Sequence, residues 1–469
     1  RPAEGLARVD RATGGQVVRI LEAEKFQGKP GQVAHVHVAQ GLAVPRVVVV
    51  GLGKRAEAKG ETVRRAVAAA LRRARDLGAR AVAVEVLGDR LPTRQRAHLV
   101  VEGAVLGAYT FDRYKREKSD KQVDELRLVE PDGRRLRDAT EGARTGETFA
   151  AATWFARDLV NAPANDVHPT HLAQVAARIA RGQRLGLKVY DRDECRRMGM
   201  GAFLGVAQGS QQPPKFIHLP YRPGGRARKR VAVIGKGVTF DSGGLDLKPA
   251  DGMLRMKDDM AGAAAVLGIM RALPALEPAV EVHGIIAATE NMPSGTALRP
   301  GDVLRAMNGT TIEVGNTDAE GRLTLADALC YATERVRAEE VIDMATLTGA
   351  CVVALGPLIS GLFANDDGIA ARLLAAAEQA GERVWRLPLV DEYRDNLKSE
   401  VADLNNVGPR GGGAITAGLF LKEFAGDRPW AHLDMAGPAF AEKDLPLGPK
   451  GATGAGVRTI LAYLTAAVR

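Results

Sequence analysis

Short apolar runs that end in glycine alternate with longer stretches in which apolar residues recur at helical spacing. In the first third, VPRVVVVGLG (residues 44–53) predicts a buried strand and TVRRAVAAALRRARDLGA (62–79) a helix with a basic face. RAVAVEVLGD (80–89) predicts a second strand. This β-α-β order points to an α/β domain with parallel strands. Residues 112–141 are polar and charge-rich and read as an exposed connection. ETFAAATWFARDLVNAP (147–163) predicts a helix that joins two domains, with the boundary inside residues 145–165.

Beyond that boundary the alternation becomes more regular. Strands are expected at 229–235, 279–289, 310–315, 340–347 and 430–436, with helices at 259–273 and 322–336. PRGGGAITAG (409–418) reads as a glycine-rich loop leading into a helix. The pattern is that of a doubly wound α/β sheet. The expected organisation is a smaller N-terminal α/β domain over residues 1–150 and a larger C-terminal doubly wound α/β domain over 151–469.

Length supports two cores, since 469 residues exceed what one ordinary core organises. Charge adds an asymmetry. Residues 1–150 hold 29 Lys and Arg against 20 Asp and Glu, whereas residues 151–469 hold 36 against 36. A basic first third raises DNA as a candidate partner. Cys195, Cys330 and Cys351 form no CxxC pair and read as core residues in a reducing compartment. No apolar run reaches the ~18 residues of a membrane span. The opening RPAEGLARVD lacks the apolar core of a signal peptide. The expected location is the cytoplasm, away from the membrane.

Ligands of open α/β sheets bind beyond the carboxyl ends of the strands. Two segments there carry unusual charge. GKGVTFDSGGLDLKPADGMLRMKDDMAGAA (235–264) contains Lys236, Asp241, Lys248, Asp258 and Asp259. GNTDAEGRL (315–323) contains Asp318, Glu320 and Arg322. Asp318 and Glu320 are two apart, so an extended backbone points both to one side. Glycines at 235, 237, 243, 244 and 321 permit tight turns and close backbone approach. Carboxylates that converge on one crevice repel unless cations neutralise them, and divalent metals are the usual solution. Asp246, Asp251 and Asp258 read instead as turn or cap residues. HExxH and GxSxG are absent, and VVVVGLGK and VAVIGKG complete neither nucleotide-binding motif. A different two-metal hydrolase, such as a phosphoesterase, fits the same carboxylates.

NTDAEGRL (316–323) resembles the signature of the leucyl aminopeptidase (cytosol aminopeptidase) family, and GKGVTFDSGGLDLKP (235–249) resembles its first metal segment. Further similarity runs through RDLVNAPAN (157–165), ENMPSG (290–295), ATLTGA (345–350) and GGAITAGLFLKEF (412–424). It covers residues 155–469 well and the first 150 loosely. The resemblance implies a metal-dependent enzyme that removes the N-terminal residue, leucine or another apolar one, from peptides. It implies two divalent ions per subunit, Mn or Zn with Mg as a third candidate. Lys236, Asp241, Asp259 and Glu320 would hold the tighter ion. Asp241, Asp318 and Glu320 would hold the other, and a bridging water or hydroxide would attack. Lys248 would stabilise the oxyanion, and Arg322 would hold a bicarbonate ion acting as base. Met256, Thr346, Leu347 and Gly349 would contact substrate, and six copies would assemble. One departure stands beside the ligands: acidic Asp258 occupies a position where the family often has a small residue.

Overall fold

The structure, a computed structural model, describes residues 4–88 and 91–466. The chain divides into two compact units. One runs up to Ala151 and takes in Lys443–Lys450; the other comprises Ala152–Glu442 with the chain from Gly451 onward.

The N-terminal unit contains four strands: β1 (Val33–His37), β2 (Arg46–Val50), β3 (Ala81–Glu85) and β4 (Glu125–Val129). β1 pairs antiparallel with β2, and β3 pairs parallel with β4. The expected β-α-β order is present, but the parallel partner of β3 is β4 rather than β2. β4 lies inside the segment read as an exposed connection. Its sequence ELRLV alternates exposed and half-buried residues, so the charged neighbours masked a strand. The helices Gly60–Asp76 and Thr93–Ala108 pack on each other through Val63, Val67, Leu71, Leu99 and Val100. Their approach is close: a β-carbon on Gly103 would fall 2.5 Å from the carbonyl oxygen of Arg64. The joining helix spans Leu136–Asn161 and begins eleven residues before the expected start.

The C-terminal unit is built on an eight-stranded sheet. Its strands are β5 (Lys188–Tyr190), β6 (Lys215–Tyr221), β7 (Arg230–Asp241), β8 (Glu281–Asn291), then β11 (Glu340–Ala345), β12 (Ser360–Ala364), β13 (Val384–Arg386) and β15 (Trp430–Asp434). Three short strands, β9 (Val303–Arg305), β10 (Thr311–Glu313) and β14 (Leu404–Asn405), form a separate sheet in the order β14-β10-β9. The segment 310–315 therefore forms β10 outside the main sheet.

The main sheet runs β13-β12-β15-β11-β7-β8-β6-β5. Its centre, β15-β11-β7-β8, is parallel, and antiparallel joins at β12/β15, β6/β8 and β5/β6 add the flanks. Central strands are buried on both faces, as their continuous Val, Ile and Ala content requires. The apolar helix Ala261–Leu276 packs on them, and Gly235 on β7 makes that possible. A β-carbon there would lie 2.4 Å from the carbonyl oxygen of Gly262. The stretch 250–276 is long and apolar enough to span a membrane by length and composition, which the expectation of no spanning segment had not anticipated. Most of its apolar part is buried inside the unit, as befits core structure.

Cys195, Cys330 and Cys351 are free and buried. Burial pushes the thiols of Cys195 and Cys351 up to about 12, so both stay protonated.

Candidate metal centre

β7 does not stop at Gly235. It continues through GKGVTFD, so Lys236 sits within the strand and Asp241 ends it. Gly235 and Gly237 lie inside the strand and admit close backbone approach, as expected, without ending it. Loop 242–249 then doubles back, with Gly243 and Gly244 at φ +89° and +69°. Asp259 follows the 3₁₀ turn Met256–Asp258, just before the helix Ala261–Leu276. Glu320 caps the helix Gly321–Cys330, and Asp318 lies two residues earlier in the turn after β10.

These elements bring five predicted ligands into one site. Carboxylate oxygens of Asp241, Asp259 and Glu320 lie within 4.8 Å of one another. Lys236 Nζ donates to Asp259 Oδ1 at 2.8 Å and to the carbonyl of Thr346 at 3.1 Å, and lies 2.9 Å from Glu320 Oε1. Lys248 Nζ bridges Asp241 Oδ2 at 2.8 Å and Asp318 Oδ1 at 2.5 Å. Lys236, Asp241, Asp259 and Glu320 are each at most 4% exposed.

Electrostatics follow from this crowding. Burial raises the carboxyl pKa of Asp259, Glu320 and Asp318, and mutual repulsion adds to it. Burial alone would depress the Lys236 ammonium, but Asp259, Glu320 and Asp241 reverse that and hold it raised. Lys248 is raised by the same competition, with Asp241 as its main partner. Arg322 is pulled down to about 10 by burial, which leaves it cationic at neutral pH.

The donor set fits divalent cations. Asp259 Oδ2 is buried without a hydrogen-bond partner. Glu320 Oε1 and Asp318 Oδ1 face ammonium groups at ion-pair distance but satisfy no hydrogen-bond geometry. An all-oxygen set with one amine, free of His and Cys, suits Zn, Mn or Mg. Arg322 fits an anion: Nη1 donates to the carbonyl of Asn406 at 2.8 Å, while the buried Nε has no partner.

The residues expected to contact substrate lie around this cluster. Thr346 Oγ1 donates to Asp259 Oδ1 at 2.8 Å. The amide of Leu347 donates to Asp434 Oδ1 at 3.2 Å, and exposed Gly349 opens the helix Gly349–Leu355. Met256 is half-buried in the turn before Asp259. Asp258 turns away to Arg255, with Oδ2 2.9 Å from Nε. Asp246 locks two loops together, accepting from the Thr317 amide at 2.7 Å.

Three positioning residues had no assigned role. Asn291 ends β8 and donates to Asp241 Oδ1 at 2.8 Å and to the carbonyl of Thr317 at 3.0 Å. Asn406 accepts from the Gly315 amide at 2.8 Å and donates to the carbonyl of Asn316 at 2.8 Å, fixing the turn that carries Asp318. Asp434 ends β15 and accepts from Thr348 Oγ1 at 2.7 Å, which fixes the loop after β11. Asn291 and Asp434 lie in segments already singled out, ENMPSG and WAHLDMA; Asn406 gave no signal. His432 is structural: its Nδ1 meets Asp343 at 2.5 Å, and Trp430 Nε1 donates to the same carboxylate at 2.7 Å.

Comparisons with known proteins identify the family. Residues 154–461 match the catalytic domain of the cytosol aminopeptidase family, and residues 1–118 match that family's N-terminal domain. The probable cytosol aminopeptidase of Aquifex aeolicus (strain VF5) is 47% identical over 465 residues, 98% of this chain and 92% of the relative. That of Synechococcus sp. (strain JA-3-3Ab) is 48% identical over 473 residues, 99% and 92%. Among solved structures, the bottromycin maturation enzyme BotP in complex with Mn is similar with a TM-score of 0.89 at 40% identity, covering 96% of each chain. A mutant of tomato leucine aminopeptidase is similar with a TM-score of 0.89 at 39% identity, covering 99% of this chain and 89% of that one. The chain belongs to the cytosol aminopeptidase family, carries its N-terminal and catalytic domains, and is a metal-dependent aminopeptidase.

Proposed function

We propose that the enzyme hydrolyses the first peptide bond of substrates with a free N-terminus, with leucine or another apolar residue preferred. The observation that carries this is the buried contact of Lys236 Nζ with both Asp259 and Glu320, at 2.8 and 2.9 Å, inside a carboxylate cluster. Lys236, Asp241, Asp259 and Glu320 would hold one divalent ion, and Asp241, Asp318 and Glu320 a second. When bound, the ions supply Lewis acidity, offsetting oxyanion charge and lowering the pKa of the attacking water. Mn or Zn is preferred, with Mg a third candidate. The Mn complex of a similar protein supports Mn.

The chain's own groups do the rest. Asp241 is held in orientation by the Gly243 amide at 2.9 Å and by Asn291. Lys248 keeps its proton and places a cation where the carbonyl oxygen becomes negative. Arg322 cannot serve as a base, because its guanidinium stays protonated; it would hold a bicarbonate ion, which would supply the base. The loop after β11, tied down through Asp434, offers backbone groups near Leu347 and Gly349 to the peptide. Thr346 and Met256 flank the side-chain pocket.

Bicarbonate, the homohexamer and the cytoplasmic location rest on the family likeness. DNA binding rests on charge alone, and many N-terminal arginines already face local carboxylates, such as Arg80 with Asp124 at 2.7 Å and Arg127 with Glu125 at 2.8 Å. The test is a comparison of leucyl-p-nitroanilide with its N-acetylated form on metal-loaded enzyme. Cleavage of the first alone supports the proposal; equal cleavage of both, or cleavage only of a phosphoester, contradicts it.

A further inference from the structure

A second charged concavity lies at the opposite end of the main sheet. It is an open cleft of ≈ 680 Å³ at the start of β7 and β8, whose first residues, Arg230 and Glu281, are paired in register. Six residues along β7 place Lys236 about 20 Å away, so the cleft is separate from the metal centre.

Five cations line it: Lys188, Arg222, Arg230, Arg335 and Arg337. Glu281 is the single carboxylate lining it among the described residues. It already serves two of them, at 3.3 Å from Arg222 and 3.1 Å from Arg230. Lys188, Arg335 and Arg337 have no acidic partner among the described residues.

The floor is a buried polar chain. Tyr331 OH lies 3.0 Å from His218 Nδ1 and 3.1 Å from Tyr190 OH, and His218 Nε2 lies 2.8 Å from His283 Nδ1. Burial and His283 hold His218 down at about 3, so that imidazole is neutral and the cleft's charge comes from Lys and Arg.

The backbone brings two of these cations together. The helix Gly321–Cys330 ends in a π-turn, Tyr331–Arg335, and Arg337 takes φ +57°, a conformation more natural to glycine or asparagine. The π-turn and the left-handed residue after it end the helix and bring Arg335 and Arg337 to the cleft lining.

We propose that the cleft binds a small soluble phosphate-bearing anion, held by Lys188, Arg335 and Arg337 above the Tyr331–His218 floor. Its volume exceeds that of phosphate alone and lies in the range of small-molecule sites, so a phosphorylated metabolite is the natural occupant and inorganic phosphate the minimal one. The bound anion would sit at one end of the helix whose other end carries Glu320 and Arg322.

The experiment is isothermal titration of the metal-loaded enzyme with inorganic phosphate, beside the Arg335→Ala/Arg337→Ala double variant and the single Lys188→Ala variant. All three positions are exposed, so the fold should survive, and circular dichroism checks it. The expected result is one saturable site per chain, unchanged by stripping the metals and weakened at least tenfold in the double variant. No saturable binding overturns the proposal. So does binding that the double variant retains, or binding that vanishes with the metals and therefore belongs to the metal centre.

Discussion

Gly321 and Lys236 are fitted against each other: a β-carbon on Gly321 would fall 2.4 Å from Lys236 Cε and 2.5 Å from Nζ. The first residue of a helix thus sets where a lysine on β7 can place its amine. Gly321→Ala is predicted to displace Lys236 and lower kcat by about 100-fold, the scale of a 1 Å misplacement in a catalytic site. Metal affinity should fall with it, and the thermal midpoint should move little. Steady-state kinetics with a metal titration checks this; wild-type kcat in the variant would contradict the packing account.

Asp434 accepts from the amide of Leu347, the hydroxyl of Thr348 and the amide of Ala436. Asp434→Ala leaves these donors without their acceptor, at a cost of about 1–3 kcal/mol for each one left buried. Because Asp434 bonds Leu347 and Thr348 and none of the clustered carboxylates or lysines, KM should rise more than kcat falls. Kinetics on leucyl-p-nitroanilide over a substrate series separates the two.

Asp327 is fully buried, and its carboxylate accepts from the amides of Phe203 and Met307. Burial outweighs these donors and pushes its pKa up to about 7. The folded-state pKa therefore lies above the unfolded value of about 3.9. The folded protein binds the extra proton between these values, so stability falls as pH rises through the window and levels off above it. The shift corresponds to about 4 kcal/mol at most. Asp327→Asn should flatten this part of the stability profile between pH 4 and pH 7, as read by urea unfolding at each pH. An unchanged slope would contradict it.

In the N-terminal unit, Arg64 Nε and Glu102 Oε2 form a buried ion pair at 2.6 Å. Removing Glu102 takes the nearest carboxylate from a buried guanidinium that keeps its 3.4 Å contact with Glu61, so Glu102→Ala should cost at most about 3–5 kcal/mol. Replacing both residues with apolar ones of similar volume should recover most of that loss. Chemical denaturation followed by a probe in this unit distinguishes the two variants.

The cluster of carboxylates and lysines was readable because its residues are local in sequence. Asp318, Glu320 and Arg322 sit within five residues, and Lys236, Asp241 and Lys248 within thirteen. What surrounds them was not local. Asn291, Asn406 and Asp434 reach the site from 50 to 91 residues away in sequence, through hydrogen bonds that no spacing encodes. Gly235 and Gly237 misled the strand boundary for a related reason. Glycine in isolation signals a turn, but here it admits the backbone of another element. The antiparallel flanks were missed too. KFIHLPY in β6 carries a lysine, a histidine and a proline, and becomes a strand only by pairing with β8.

The most direct measurement is metal content and leucyl-p-nitroanilide hydrolysis of chelated enzyme reloaded with Mn or Zn, beside Glu320→Ala. The account predicts two ions per chain and restored activity in the wild type, and loss of metal and activity together in the variant. Full activity in the metal-free enzyme, or wild-type activity in Glu320→Ala, would contradict the assignment of Glu320 as a bridging ligand and with it the two-metal site.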